Sequence, residues 1–170
     1  MELKEIIRTI PDFPEPGVLF RDITPVLQSP EYLAAAVDAI ASEVKDLDFD
    51  LVLGPESRGF IFGAPAAYNL HKGFVPIRKA GKLPFTTVSK TYELEYGKST
   101  IEMHIDAIKP GQRVVIIDDL LATGGTCKAI AELVEQMGGE VAAMVFLIEL
   151  EGLNGREILG KYDVRSIVKY

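Results

Sequence analysis

A chain of 170 residues that is 48% apolar and 25% charged is long enough to bury a core and too apolar to stay disordered. Its net charge of -7, with no Lys/Arg-rich block, excludes the electrostatic footprint of a nucleic-acid binder. The single cysteine, Cys127, excludes an internal disulfide framework and leaves a reducing cytoplasm as the simplest home.

Met1 to Arg8 mixes charged and apolar side chains and lacks the regions of a signal peptide. The longest apolar run, Val141 to Ile148, is too short to span a bilayer. Leu3, Ile6, Ile7 and Ile10 recur at helical spacing, which predicts a helix over 2–10 stopped by Pro11. Residues 11–25 carry four prolines and Gly17, so they must be mostly extended or turned. Phe13, Val18, Leu19, Phe20 and Ile23 make that segment apolar enough to pack on the core or on a ligand. Ser29 as N-cap, Pro30 in the first position and Glu31 in the first turn open a helix. Leu33, Val37, Ile40 and Val44 form its buried face.

Asp50 to Gly54 reads as a buried strand, 55–59 as the loop after it, 60–70 as a helix and Phe74 to Ile77 as a short strand. Arg78, Lys79, Lys82 and Lys90 mark the densest positive stretch, and 78–90 is the longest predicted loop. Tyr92 to Tyr96 and Thr100 to Ile105 both alternate, which suggests an antiparallel hairpin. Arg113 to Ile117 is a central strand. A helix over 124–137 buries Ile130, Leu133, Val134 and Met137 and closes at Gly138-Gly139. A long strand over 140–150, a short helix after Asn154-Gly155 and a last strand over 163–169 complete the chain.

Strands that are near-continuous apolar runs, alternating with helices, predict an α/β domain with a mainly parallel central sheet flanked by helices. Loops 55–59, 78–82 and 118–126 then share the crevice at the carboxyl ends of the strands.

The chemistry concentrates there. Ala122-Thr123-Gly124-Gly125-Thr126 is a phosphate cradle: glycines let amides approach an anion, and the next helix supplies free N–H groups. The Gly-Lys-Ser/Thr ending of a Walker loop is absent. Taken alone, the glycines favour the plainer reading, a glycine-rich helix start with a Thr cap. Asp118 and Asp119 tip the balance, because adjacent carboxylates at a buried strand's end are costly unless paired. They suit a sugar diol or Mg²⁺. His71 and His104 have no partners at metal-ligand spacing and read as ordinary histidines. Cys127 reads as a packing residue.

Val114 to Thr126 resembles the phosphoribosyl pyrophosphate motif of the type I phosphoribosyltransferases, and its Asp-Asp-Leu-Leu-Ala-Thr-Gly-Gly-Thr form resembles the adenine phosphoribosyltransferases in particular. Pro14 to Pro25 is similar to that family's base-binding segment, and Gly54 to Phe60 to its pyrophosphate loop. Arg78 to Pro84 and Leu94 to Lys98 also match. The blocks run in order over nearly the whole chain. Residues 85–89 are less typical of the family.

The resemblance implies a single domain over 1–170, with 1–28 forming an N-terminal hood over the base. It implies purine salvage: transfer of ribose 5-phosphate from 5-phosphoribosyl 1-pyrophosphate to N9 of adenine, giving AMP and pyrophosphate with Mg²⁺. Ala122, Thr123, Gly124, Gly125 and Thr126 would hold the 5′-phosphate. Asp118 and Asp119 would face the ribose hydroxyls, directly or through metal. Glu56, Ser57, Arg58, Arg78, Lys79 and Lys82 would bind pyrophosphate, with a cis peptide at Glu56-Ser57 and Lys82 acting in its own or a neighbouring subunit. Phe20 would stack on adenine opposite Leu120, while main-chain groups of Leu19 and Arg21 read its edge. Glu95 and Tyr96 would lie in the mobile loop, with Glu95 moving the proton at the base and Arg58 and Lys82 assisting departure. The family also implies a cytoplasmic homodimer with no nucleic-acid or membrane partner. A xanthine-specific relative, and a transcription regulator that keeps the fold as an effector sensor, are the competing readings.

Overall fold

Residues 2–94 and 96–170 are described by the computed structural model. The N-terminal segment holds α1 (Leu3–Ile6), β1 (Arg8–Pro11), β2 (Leu19–Asp22) and α2 (Thr24–Gln28). Then follow α3 (Pro30–Val44), β3 (Leu51–Pro55), α4 (Arg58–Asn69) and β4 (Gly73–Lys79). A hairpin of β5 (Thr87–Glu93) and β6 (Lys98–His104) precedes β7 (Arg113–Leu121) and α5 (Gly125–Gln136). The chain closes with β8 (Glu140–Glu149), α6 (Gly155–Ile158) and β9 (Val164–Lys169).

The main sheet has the order β5-β6-β4-β3-β7-β8-β9. Its strands from β4 to β9 are parallel, while β6 runs antiparallel to both β4 and β5. β7 lies inside the sheet, and its Val114, Val115, Ile116 and Ile117 are fully buried. Side chains alternate across a strand, so a strand covered on both faces needs apolar residues at every position. Val115 and Ile117 join Ile40 of α3 and Phe62 of α4 in one core. Val114 and Ile116 join Ile130 and Leu133 of α5 in the other.

Local signals account for the helix ends. The Ser29 hydroxyl accepts from the amide of Tyr32 at 3.3 Å, capping α3. At the end of α5, Gly138 adopts φ 80 and the Gly139 amide returns to the Val134 carbonyl at 2.9 Å.

The predicted helix over 2–10 is mostly wrong. Only Leu3–Ile6 is helical; Ile7 turns extended, and Arg8–Pro11 pairs antiparallel with Leu19–Asp22. Thr9 and Ile10 are β-branched and Pro11 ends any helix, so a strand partner across the turn outweighs the apolar spacing. The segment predicted to be extended or turned up to Pro25 already enters α2 at Thr24. There the Asp22 carboxylate accepts from the Thr24 amide at 2.9 Å and hydroxyl at 2.6 Å. The long loop predicted over 78–90 shrinks to 80–86, because β4 extends to Lys79 and β5 starts at Thr87. Glu102 of β6 fastens this loop by accepting from the Gly81 amide and the Thr87 hydroxyl.

The last residue of β8 carries a buried charge. Glu149, 4% exposed, receives two hydrogen bonds from Arg156, at 2.6 Å and 2.9 Å, and one from Ser166. The Arg156 bonds hold its carboxyl below the usual range despite burial. Such a carboxylate stabilises the fold above its unfolded pKa, and that contribution fades as pH falls through the depressed folded value. Arg156→Ala leaves Glu149 buried and unpaired. It should cost about 3 kcal/mol in urea unfolding at pH 7, and much less once the pH falls below the carboxylate range.

Candidate active site

β7 does not stop at Ile117 as predicted; it continues through both carboxylates, with Asp118 opposite Phe146 and Leu120 opposite Ile148 of β8. Asp118 and Asp119 therefore point to opposite faces of the strand. Asp119 is 6% exposed and its Oδ2 lies 2.8 Å from Nε of Arg58, the first residue of α4. Asp118 accepts the Asp119 amide at 2.8 Å, and among the described residues no cation pairs with it. Burial pushes the Asp118 carboxyl well above the usual carboxylate range, and the charge of Asp119 adds to that. Arg58 opposes the shift only weakly. The start of α4 comes so close that a Cβ on Gly59 would lie 3.0 Å from Asp118 Oδ1.

Past β7 the chain wraps a cavity of about 90 Å³, lined by Asp118, Leu120, Ala122, Thr123, Gly124, Gly125 and Thr126. Gly124 stands before α5 with φ +88, and a Cβ there would lie 2.9 Å from the Gly155 carbonyl oxygen. Glycine is thus required twice over, by backbone conformation and by packing. No side chain caps α5, so the amides of its first turn have no side-chain acceptor. With the positive end of the helix dipole, such amides are chemically suited to an anion. Cys127 beside them is buried, and burial and the two aspartates push its thiol well up, away from the reactive thiolate.

The basic residues gather on a different side. Glu56, whose side chain is 11% exposed, accepts from the Lys79 amide at 2.6 Å and from Lys82 Nζ at 2.7 Å. Arg78 Nε stands 3.5 Å away. Burial pushes Glu56 up, but the Lys82 and Lys79 bonds and the charges of Lys82 and Arg78 outweigh it and hold the carboxyl below its usual value. A cavity of about 120 Å³ opens between Glu56, Arg78, Lys79, Tyr92 and Thr126. The peptide between Glu56 and Ser57 is cis. Arg58, grouped in sequence with these residues, faces Asp119 instead, and its guanidinium lies 5.9 Å from the Phe20 ring centre.

Phe20 packs edge-on against Phe13 at 5.1 Å and borders a cavity of about 390 Å³ with Ile10, Ile23, Leu27 and Arg58. Leu120 lines the cavity before α5, so Phe20 and Leu120 border different cavities, with Arg58 near Phe20 of β2 and paired to Asp119 of β7. Leu19 is exposed. The Arg21 guanidinium folds onto the Tyr170 ring at 3.8 Å and donates to the Thr9 hydroxyl at 2.5 Å. Tyr96 is 85% exposed, and Glu95 lies outside the described residues.

Sequence reasoning missed Tyr92, whose phenol oxygen lies 3.0 Å from Thr126 Oγ1. The strand alternation that put Lys90 and Tyr92 on one face was the available signal, for Lys90 pairs with Glu132 of α5 at 2.9 Å. No cluster of three or more potential metal ligands occurs among the described residues. Asp118 and Asp119 are oxygen donors that suit Mg²⁺ only if substrate oxygens and water complete its shell.

A glycine turn at a helix start, two strand-end carboxylates and a cationic cluster thus line neighbouring cavities at the ends of one sheet. Residues 23–168 match the model of the phosphoribosyl transferase domain, and the chain belongs to that family. It is 62% identical to the adenine phosphoribosyltransferase of Agathobacter rectalis over 168 residues, 99% of this chain and 97% of that protein. The adenine phosphoribosyltransferase structure from Thermoanaerobacter pseudethanolicus matches with a TM-score of 0.96 at 53% identity, over 99% of this chain and 100% of that one. The Giardia lamblia enzyme, complexed with 9-deazaadenine, matches with a TM-score of 0.92 at 38% identity, over 99% and 96%. Within the family, the chain belongs to the adenine phosphoribosyltransferases.

The raised Asp118 carboxyl has a consequence for stability. It binds its proton more tightly folded than unfolded, so stability falls as pH rises from the ordinary value of 3.8 towards the raised one. At neutral pH this partly buried charge, with no cation beside it among the described residues, is a burden. Asp118→Asn, which keeps the acceptor for the Asp119 amide, should melt at a higher temperature than the parent at pH 7.5 while losing activity. The difference should close below the carboxylate range. Calorimetry at the two pH values checks it. Gly124→Ala should weaken binding of ribose 5-phosphate at least tenfold by calorimetric titration, since both φ and the Gly155 contact oppose it.

Proposed function

We infer that this enzyme works in purine salvage and transfers ribose 5-phosphate from 5-phosphoribosyl 1-pyrophosphate to N9 of adenine, releasing AMP and pyrophosphate. The observation that carries this reading is the pairing pattern at the end of β7: Asp119 is paired with Arg58 while Asp118 lines the cavity before α5 with no cation beside it among the described residues. A carboxylate in that state accepts hydrogen bonds from a neutral polyol, such as the ribose hydroxyls, and stabilises positive charge that develops on the sugar.

The residues take these roles. Amides of Ala122 to Thr126 and the hydroxyls of Thr123 and Thr126 hold the 5′-phosphate. Asp118 and Asp119 orient the ribose and balance the oxocarbenium-like charge as the C1′–O bond to pyrophosphate breaks. Arg78, Lys79 and Lys82, waiting on Glu56, turn to the departing pyrophosphate, assisted by Ser57 and Arg58. Residues 1–28 act as a hood that brings Phe20 over the base, with Leu19 and Arg21 at its edge and Leu120 below. Phe20 and Leu120 border separate cavities here, so this sandwich requires the hood to close onto β7. Glu95, on the loop with Tyr96, accepts the proton that N9 loses as the N9–C1′ bond forms.

The two carboxylates and the phosphate oxygens of the substrate form a donor set that fits Mg²⁺, held indirectly at Asp118 and Asp119. When bound, the ion supplies charge neutralisation for the pyrophosphate. The proposal includes a homodimer in the cytoplasm. No helix among the described residues is long and apolar enough to cross a membrane.

A pyrophosphate-release assay with adenine, hypoxanthine, guanine and xanthine, with and without Mg²⁺, tests the reading. Turnover with adenine alone, dependent on Mg²⁺, is expected. Turnover with an oxopurine instead, or with no base, contradicts it. Glu95→Ala should lower kcat by ~10²–10⁴, as loss of a general acid or base does, with binding of phosphoribosyl pyrophosphate kept. Unchanged turnover removes Glu95 from the mechanism.

A further inference from the structure

Thr126 ends the cradle and borders two cavities, the one at the start of α5 and the one beside Glu56. Its Oγ1 lies 3.0 Å from the phenol oxygen of Tyr92, and either oxygen can donate. The ring of Tyr92 also covers the cradle's edge, 3.8 Å from where a Cβ on Gly125 would stand. Tyr92 belongs to β5, which the Lys90–Glu132 pair fastens to α5 from the next position on the same strand face. Three residues further on is Glu95.

A threonine hydroxyl has one proton and two lone pairs. A phosphate anion in the cradle offers only acceptors. If Thr126 gives its proton to Tyr92, its lone pairs face the anion and repel it. If Tyr92 gives its proton to Thr126, the Thr126 proton is free to point at the phosphate, and the two bonds strengthen one another in series.

We propose that Tyr92 is a positioning residue for 5′-phosphate binding: its hydroxyl donates to Thr126 Oγ1 and so aims the Thr126 proton into the cradle. This rests on the reading of residues 122–126 as the 5′-phosphate site. It gives the hairpin that carries Glu95 a direct link to phosphate occupancy, through one bond between β5 and α5.

The test uses the full chain with Tyr92→Phe, Thr126→Val, the double variant, and 3-fluorotyrosine placed at position 92. The readouts are calorimetric binding of ribose 5-phosphate and the separate KM values for phosphoribosyl pyrophosphate and adenine. Tyr92→Phe keeps the ring against Gly125 and should weaken ribose 5-phosphate roughly fivefold, the effect of one neutral hydrogen bond. The KM for phosphoribosyl pyrophosphate should rise with it, and the KM for adenine should not. The double variant should bind no worse than Thr126→Val alone, because Tyr92 acts through Thr126. Fluorotyrosine, a stronger donor and poorer acceptor, should tighten binding. The proposal is overturned if Tyr92→Phe binds normally while Thr126→Val does not, if the two losses multiply in the double variant, or if fluorotyrosine loosens binding. Normal binding by Thr126→Val overturns the cradle reading itself, and the inference with it.

Discussion

Two adjacent carboxylates on a strand buried in the middle of a sheet cannot both be satisfied by the same neighbours. Strand alternation sends them to opposite faces, and only one meets a cation. Asp119 takes Arg58, while Asp118 keeps a single amide donor from the backbone. The local architecture follows from that division. α4 must begin close enough for Arg58 to reach β7, which brings Gly59 against Asp118. The turn after Leu121 must then reverse sharply, and Gly124 does so with its Cα against Gly155. The unsatisfied carboxyl is left where the first-turn amides of α5 are also unsatisfied. Acceptors and donors that the fold does not pair with one another are available to a ligand carrying both hydroxyls and phosphate.

The same logic explains how a chain of net charge -7 holds a polyanion. Its binding cations are local and are kept in place by an internal anion. Glu56 collects Lys82, Arg78 and the Lys79 amide around one carboxylate that stays charged despite burial. An anionic group arriving in the adjoining cavity meets side chains that are already ordered, at the cost of competing with Glu56. The N-terminal segment is likewise fastened, to Tyr170 through Arg21 and Lys4, and Tyr170 is itself bonded to the end of β8 through its backbone.

Much of this was legible in the sequence where the causes are local. The four apolar residues of β7, the Ser29-Pro30 start of α3, the glycines after α5 and the glycine turn before it are short signals with short-range physics, and all appear in place. The Glu56-Ser57 cis peptide followed from the family resemblance alone. The failures involve partners far away in the chain or decided by packing. Ile6, Ile7 and Ile10 keep helical spacing, yet β1 forms because Leu19–Asp22 offers a strand beyond a turn. Asp118 and Asp119 looked like loop residues because carboxylates seldom continue a buried strand, but β8 pairs with them. Tyr92 reads in the sequence only as part of the alternating stretch 92–96, because its partner, Thr126, is 34 positions away. Nothing in the sequence pointed to Asp119 as the partner of Arg58, which the family resemblance grouped with the pyrophosphate residues.

The unequal pair at the end of β7 is the claim on which the rest depends, and a carbon-13 titration of the Asp118 carboxyl in the ligand-free protein tests it most directly. The account predicts a midpoint well above the ordinary aspartate value of 3.8. A midpoint at or below that value would contradict it, since Asp118 would then already have the donors that the ribose is proposed to supply.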